Sequence, residues 1–251
     1  MKHMKKTNLN DLYPLILSPP IDNIGNEELW SLFGQVLSLK VRGYGREYPD
    51  GTLPADTTDL YAHHFVVAEK QGGKLRPLSS YKAVDLSRSD YHRHTFPAFS
   101  LVDQAKAPLH REALQIEIDR CRKNQRRIAY CSSWTIDPEV RGDQALHRYL
   151  KETFCGFYMS FLSELGVDET IVGGTLRFKT DVIFQRLGHR PLSLDGSILP
   201  PIHVSHLFNE NVLVMHMREK NEECRRLEKE ARLLWNRKLF LGTSEIARKA
   251  A

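Results

Sequence analysis

The sequence predicts an α/β protein, an α+β sandwich in which a mixed sheet is covered by helices. A chain of 251 residues that is 41% hydrophobic can bury one full core. Two strand-like runs, "YAHHFVVAEK" (61–70) and "KLRPLSSYKAV" (74–84), flank the turn "QGG" and read as an antiparallel hairpin, weakened at Pro77. In the second half, short apolar runs alternate with helical patterns, which calls for a sheet with helices packed on it.

The elements follow in order. Residues 1–26 read as an N-terminal extension. "NEELWSLFGQVLSLKV" (26–41) spaces its apolar residues as a helix, with Asn26 as N-cap and acidic residues in the first turn. "RGYGREYPDGTLPADTTD" (42–59) reads as loop from its Gly, Pro and Asp content. The hairpin follows, and 87–100 looks irregular. Residues 106–123 are helical, with Pro108 tolerated in the first turn. "RRIAYCSSWTI" (126–136) is a strand, and a helix is expected from Asp143 to Leu165, ending before Gly166. Residues 168–175 read as a buried strand, 176–188 as a helix stopped at Gly188, and 211–217 as a strand. Residues 218–240 read as a charged helix with Leu227, Ala231, Leu234 and Trp235 on one stripe. One main domain is expected at 27–216, with a C-terminal helix and tail at 217–251.

Composition excludes several classes. No stretch approaches the roughly 20 apolar residues of a membrane helix, and the start does not read as a signal peptide. Cys121, Cys131, Cys155 and Cys224 are scattered, which argues against a zinc site or disulfide scaffold and fits a reducing cytoplasm. His203 and His206 have ligand-like spacing, but nothing completes a set, so no metal is expected. The net charge of +5 and pI of about 9.0 suit an acidic partner. "DRCRKNQRR" (119–127) is the densest basic run, either a solvated helix end or a docking patch. No nucleic-acid motif is present.

The chemistry concentrates at "DPEVRGDQALHRYL" (137–150), an Arg-Gly pair between strand and helix. A helix start presents unpaired N–H groups and the positive end of a dipole, so it suits phosphate. Arg141 adds charge and Gly142 permits close approach, with Asp143, Gln144, Ala145 and Leu146 forming the first turn. Neither the Walker A pattern nor the dinucleotide fingerprint occurs.

The stretches "TIDPEVRG" (135–142) and "KTDVIFQRLGHRP" (179–191) resemble the GCN5-related N-acetyltransferase superfamily, in which a strand, an Arg-Gly turn and a helix cradle the pyrophosphate of coenzyme A or phosphopantetheine. The N-terminal half, "KVRGYGREYPDGTLPADTTDLYAHHFVVAEKQGGKLRPLS" (40–79), is similar to the start of N-acyl amino acid synthases and acyl-homoserine lactone synthases. The resemblance implies a mostly antiparallel central sheet and transfer of an acyl group, expected to be long-chain, from an acyl carrier protein or acyl-coenzyme A thioester to an amino group of an amino acid or related amine. It implies Arg42, Asp56 and Asp59 on the acceptor side, while the pattern's histidine, His63 or His64, reads as a core or surface imidazole. It implies N–H donors around Trp134, Thr135 and Ile136 that polarise the thioester carbonyl, and puts Tyr130 where that branch has its glutamate base. Gln144 and Leu146 stand where the superfamily has glycines, and Phe184 stands where it often has a tyrosine acid. An incomplete cradle points toward an acidic carrier protein as donor, docked on the basic run. It also leaves open a non-catalytic protein that senses acyl thioesters.

Overall fold

The computed structural model describes residues 11–48, 55–205 and 209–242. Its elements are β1 (Leu12–Leu17), α1 (Glu27–Glu47), α2 (Thr58–Tyr61), β2 (His63–Gln71), β3 (Lys74–Asp85), α3 (Leu86–Tyr91), α4 (Pro97–Gln104), α5 (Pro108–Lys123) and β4 (Ile128–Ile136). They continue as α6 (Gln144–Leu165), β5 (Glu169–Thr175), α7 (Thr180–Arg186), β6 (Arg190–Pro191), β7 (Ser193–Leu194), β8 (Ser197–Ile198), β9 (Ile202–Val204), β10 (Glu210–Met217), α8 (Glu222–Trp235) and β11 (Leu239–Leu241). Nine strands form one sheet in the order β11-β1-β2-β3-β4-β5-β10-β6, with β9 on β10. Its neighbours are antiparallel except β1 with β11 and β4 with β5. This is the mixed, mostly antiparallel sheet flanked by helices that the sequence implies.

Strand alternation sorts the core into two layers. Ala129, Cys131 and Val172 face the aromatic row of α6 and, beyond it, Trp235 of α8. Ile128, Tyr130 and Ile171 face α4 and α5. α1 covers the β1–β2 end of the second layer through Leu32 and Val36. Several local signals act as read: Asn26 and Asp143 cap α1 and α6 with their side chains, and Gly166 ends α6 in the left-handed region. Pro77 sits beside a bulge in β3, where a missing N–H is tolerated.

Other expectations are corrected. α1 does not stop at 41 but continues through "RGYGRE" to Glu47. Gly43 belongs there because a Cβ would lie 2.4 Å from Thr135 Cγ2, so glycine lets the helix approach β4. Of the rest of the expected loop, 49–54 lies outside the described residues and the short helix α2 begins at Thr58. The segment 87–100 is not irregular, since α3 and α4 occupy most of it. The helix expected over 176–188 is confined to α7, because the Thr180 hydroxyl accepts from the Thr175 N–H at 2.7 Å and starts the helix late. The expected 218–240 helix is α8 alone, and the chain then forms β11 alongside β1. β1 itself, within the stretch read as an extension, is an interior strand of the sheet.

Candidate active site

The site forms where β4 and β5 part. Their pairing runs from Ile128↔Glu169 to Cys131↔Val172 and goes no further. Beyond that point β5 continues on β10, while β4 continues on β3. β4 also carries a bulge: Ser80 pairs with Thr135 and Lys82 with Ser132, so Ser133 and Trp134 together oppose Tyr81. Ser133 has φ of 62°, which turns the strand at the widening gap. The Trp134 ring then stacks on Phe154 of α6 at 3.8 Å, and its buried Nε1 has no hydrogen-bond partner among the described residues.

Two cavities meet at this gap. The larger, about 570 Å³, is lined from the α4 layer by Leu101, Gln104 and Tyr130 and from the α6 layer by Phe154, Tyr158 and Phe184, so it crosses the sheet. Asp56, Thr58, Lys82 and His94 line its polar end. The smaller, about 280 Å³, lies between α1, the start of α6 and α7, and includes Trp134, Thr135, Ile136, Arg141, His147 and Lys151. Tyr44, Trp134, Thr175 and Thr180 line both.

A buried charge network underlies the polar end. Lys40, with no side-chain exposure, pairs with Asp59, and Lys82 contacts both Asp59 at 3.1 Å and Asp56 at 3.0 Å. Burial, only partly opposed by Asp59, brings the Lys40 ammonium down to about 8. Asp59 is desolvated, yet Lys40 and Lys82 outweigh that and hold it well below the usual carboxylate range. Asp56 is shifted down in the same way, burial opposing and Lys82 prevailing. His64 contacts the Asp59 carbonyl at 2.8 Å, and burial lowers it to about 3. Burial lowers His63 to about 4. Neither histidine lines either of these two cavities.

The site residues read from sequence are therefore only partly gathered. Tyr130 and Trp134 line the large cavity, and Trp134, Thr135, Ile136 and Arg141 line the small one. Burial pushes the Tyr130 phenol well above its ordinary value, so it is a proton donor rather than a base. Arg141 pairs with Glu47. The Asp143 carboxylate accepts from the N–H groups of both Ala145 and Leu146 at 3.1 Å, occupying the expected phosphate cradle. Gly142, Asp143, Gln144, Ala145 and Leu146 line neither cavity, and Leu146 is in the core. Asp56 faces the large cavity and Asp59 lies behind it. Arg42 is outside, bonded to Ser38 and Asp137. Lys40, Tyr44, Lys82 and His94 were missed. A lysine inside the apolar patterns of α1 and β3 was the available signal for the first and third.

The basic run is built into the fold. Arg120 and Arg126 pair with Glu169, Arg122 with Asp90, and Arg127 with Asp85. Glu117, Glu169 and His216 lie close enough together to hold a metal ion. Arg120, Arg126 and Arg218 already neutralise those carboxylates, which makes the cluster an ion-pair network. His203 bonds Asn209 and Asn211, and His206 lies outside the described residues.

This mixed sheet, parted between β4 and β5 beside a bulge, has a GNAT-like fold. Among solved structures, it is similar to the CoA-dependent acyl-homoserine lactone synthase BjaI with SAM and isopentyl-CoA, at TM-score 0.57 and 13% identity, over 95% of this chain and 99% of that one. The same synthase with MTA matches at TM-score 0.54 and 14% identity, over 95% and 99%. FeeM, an N-acyl amino acid synthase from uncultured soil microbes, matches at 0.45 and 12%, over 88% and 97%. No family model matches the chain, and no curated protein sequence does.

Proposed function

We propose that this chain is an N-acyltransferase that moves an acyl group from a coenzyme A or carrier-protein thioester to the amino group of an amino acid or related amine. The cavity that crosses the sheet at the parted β4 and β5 carries this reading. The thioester arm enters through the small cavity, past Arg141, His147 and Lys151. The carbonyl sits at the Ser133–Trp134 bulge, where backbone N–H groups and the unpartnered Trp134 Nε1 can polarise it. The acyl chain runs toward Leu101 and Val212, and the amine lies at the Asp56–Lys82 end. The CoA dependence stated for BjaI supports a coenzyme A donor. The internal pairing of the 120–127 arginines gives a carrier protein little free cationic surface there.

Purified protein is incubated with acyl-coenzyme A or acyl carrier protein of several chain lengths and a pool of amino acids, and N-acyl products are sought by mass spectrometry. The expected result is an N-acyl product from at least one donor. No product and no thioester loss with either donor class overturns the reading. Acyl-coenzyme A binding without turnover gives instead the sensor function, which the capped α6 start and Phe184 would suit.

A further inference from the structure

Phe184 lines the large cavity but has no proton to give. A thiolate leaves a thioester more readily when a proton reaches it, and a donor for it would stand where the two cavities meet. Tyr44 stands in that shared wall, on the face of α1 opposite β4. Its phenol oxygen lies beside the hydroxyls of Ser133 and Thr135, at the bulge where the carbonyl would sit. Tyr158 also faces the large cavity, but its hydroxyl is engaged with Thr170 and His189, each at 3.3 Å. Tyr130 lines the large cavity but not the small one through which the thioester arm enters.

We propose that Tyr44 delivers the proton to the departing thiolate, an assignment that rests on the acyltransferase reading. The amine nitrogen attacks the carbonyl carbon, a C–N bond forms and an oxyanion develops. As the oxyanion collapses the C–S bond breaks, and the sulfur's new electron pair takes the Tyr44 O–H proton. In the same event the phenol oxygen takes the proton that the nitrogen releases, so one proton passes from nitrogen to sulfur and Tyr44 is restored. The Ser133 and Thr135 hydroxyls are placed to donate to the phenol oxygen as negative charge builds on it during the relay. Other groups facing the phenol are Asp59 and Tyr130, with the Tyr48 ring at 6.3 Å. Burial, only partly offset by Thr135, pushes Tyr44 up to about 12, so at neutral pH it enters as a donor.

The test is Tyr44→Phe in the full chain, compared with the parent on an acyl-coenzyme A and on the thiophenyl ester of the same acid, whose more acidic thiol leaves without needing a proton. The expected result is a fall in kcat of about 100-fold with the coenzyme A thioester. With the thiophenyl ester the variant keeps most of the parent rate, and acyl-coenzyme A binding by calorimetry is unchanged. Thr135→Val, which keeps the methyl group packed on Gly43, should show a smaller loss with the same leaving-group dependence. Equal losses on both thioesters, or no loss, overturn the assignment while leaving the acyltransferase reading intact. A parent protein that cleaves neither thioester overturns both.

Discussion

Two clusters of charge, each with a buried centre, sit on the same sheet and differ in what they face. Lys40, Asp59, Lys82 and Asp56 form a balanced set whose outer pair, Lys82 and Asp56, lines the large cavity. Glu117, Glu169 and His216, with Arg120, Arg126 and Arg218, face no cavity described above and tie α5, β5 and β10 together. Both shift their carboxylates downward, so perturbed ionisation alone does not distinguish them. What distinguishes them is open space beside the charge: the first cluster can trade a partner for a ligand, whereas the second is closed by its own arginines.

The largest effect that would sharpen this contrast is expected from Asp59→Ala. It leaves buried Lys40 without its carboxylate and Lys82 with Asp56 alone. A loss of about 3–5 kcal/mol in urea unfolding is expected, and a loss under about 1 kcal/mol would mean that the pairing is not structural. Glu169→Gln comes next, with a loss of about 1–3 kcal/mol but an unchanged rate of thiol release per folded molecule. A selective loss of rate in that variant would erase the distinction between the clusters.

Asp56→Asn should do the reverse. Its side chain is 62% exposed, so stability stays within about 1 kcal/mol, while kcat/KM for the amine falls about tenfold, equivalent to about 1.4 kcal/mol. An unchanged amine KM and kcat would remove Asp56 from the acceptor end. The smallest effect is in pH dependence, where each cluster carries a histidine of opposite sign. Burial, with Lys40 next, lowers His64 to about 3, so its contribution is present above about 6.5 and is lost as pH falls toward 3. His216 is desolvated too, but Glu117 and Glu169 outweigh that and raise it. Its contribution is therefore full below about 6.5 and is lost as pH rises through the raised value. His64→Gln should flatten the acid limb of stability and His216→Gln the limb above neutrality. Both variants altering the same limb would contradict the assignment.

The features legible in the sequence were local. The hairpin at 63–85, the caps Asn26 and Asp143, and Gly166 each follow from a few adjacent residues. β11 was not legible, because "LFL" at 239–241 becomes a strand only by pairing with β1 from the other end of the chain. "RGYGRE" read as loop together with the Gly-, Pro- and Asp-rich stretch it opens, yet it is helical in α1, where Gly43 leaves room for the close approach of Thr135. Of the residues read from sequence, Trp134 to Ile136 and Arg141 line the cavities because the strand and turn that carry them are contiguous. Lys40, Tyr44 and Lys82 come from α1 and β3 and meet only in the fold. The bulge at Ser133 left no sequence signal, since its φ of 62° is imposed by register against β3 rather than by a glycine.

The most direct measurement of the central claim is free thiol released from an acyl-coenzyme A or acyl carrier protein, followed colorimetrically with and without an amine acceptor. Acyl transfer at the parted strands predicts release that depends on the amine, with one thiol for each amide formed. Release at the same rate without amine, or none with either donor, would contradict it.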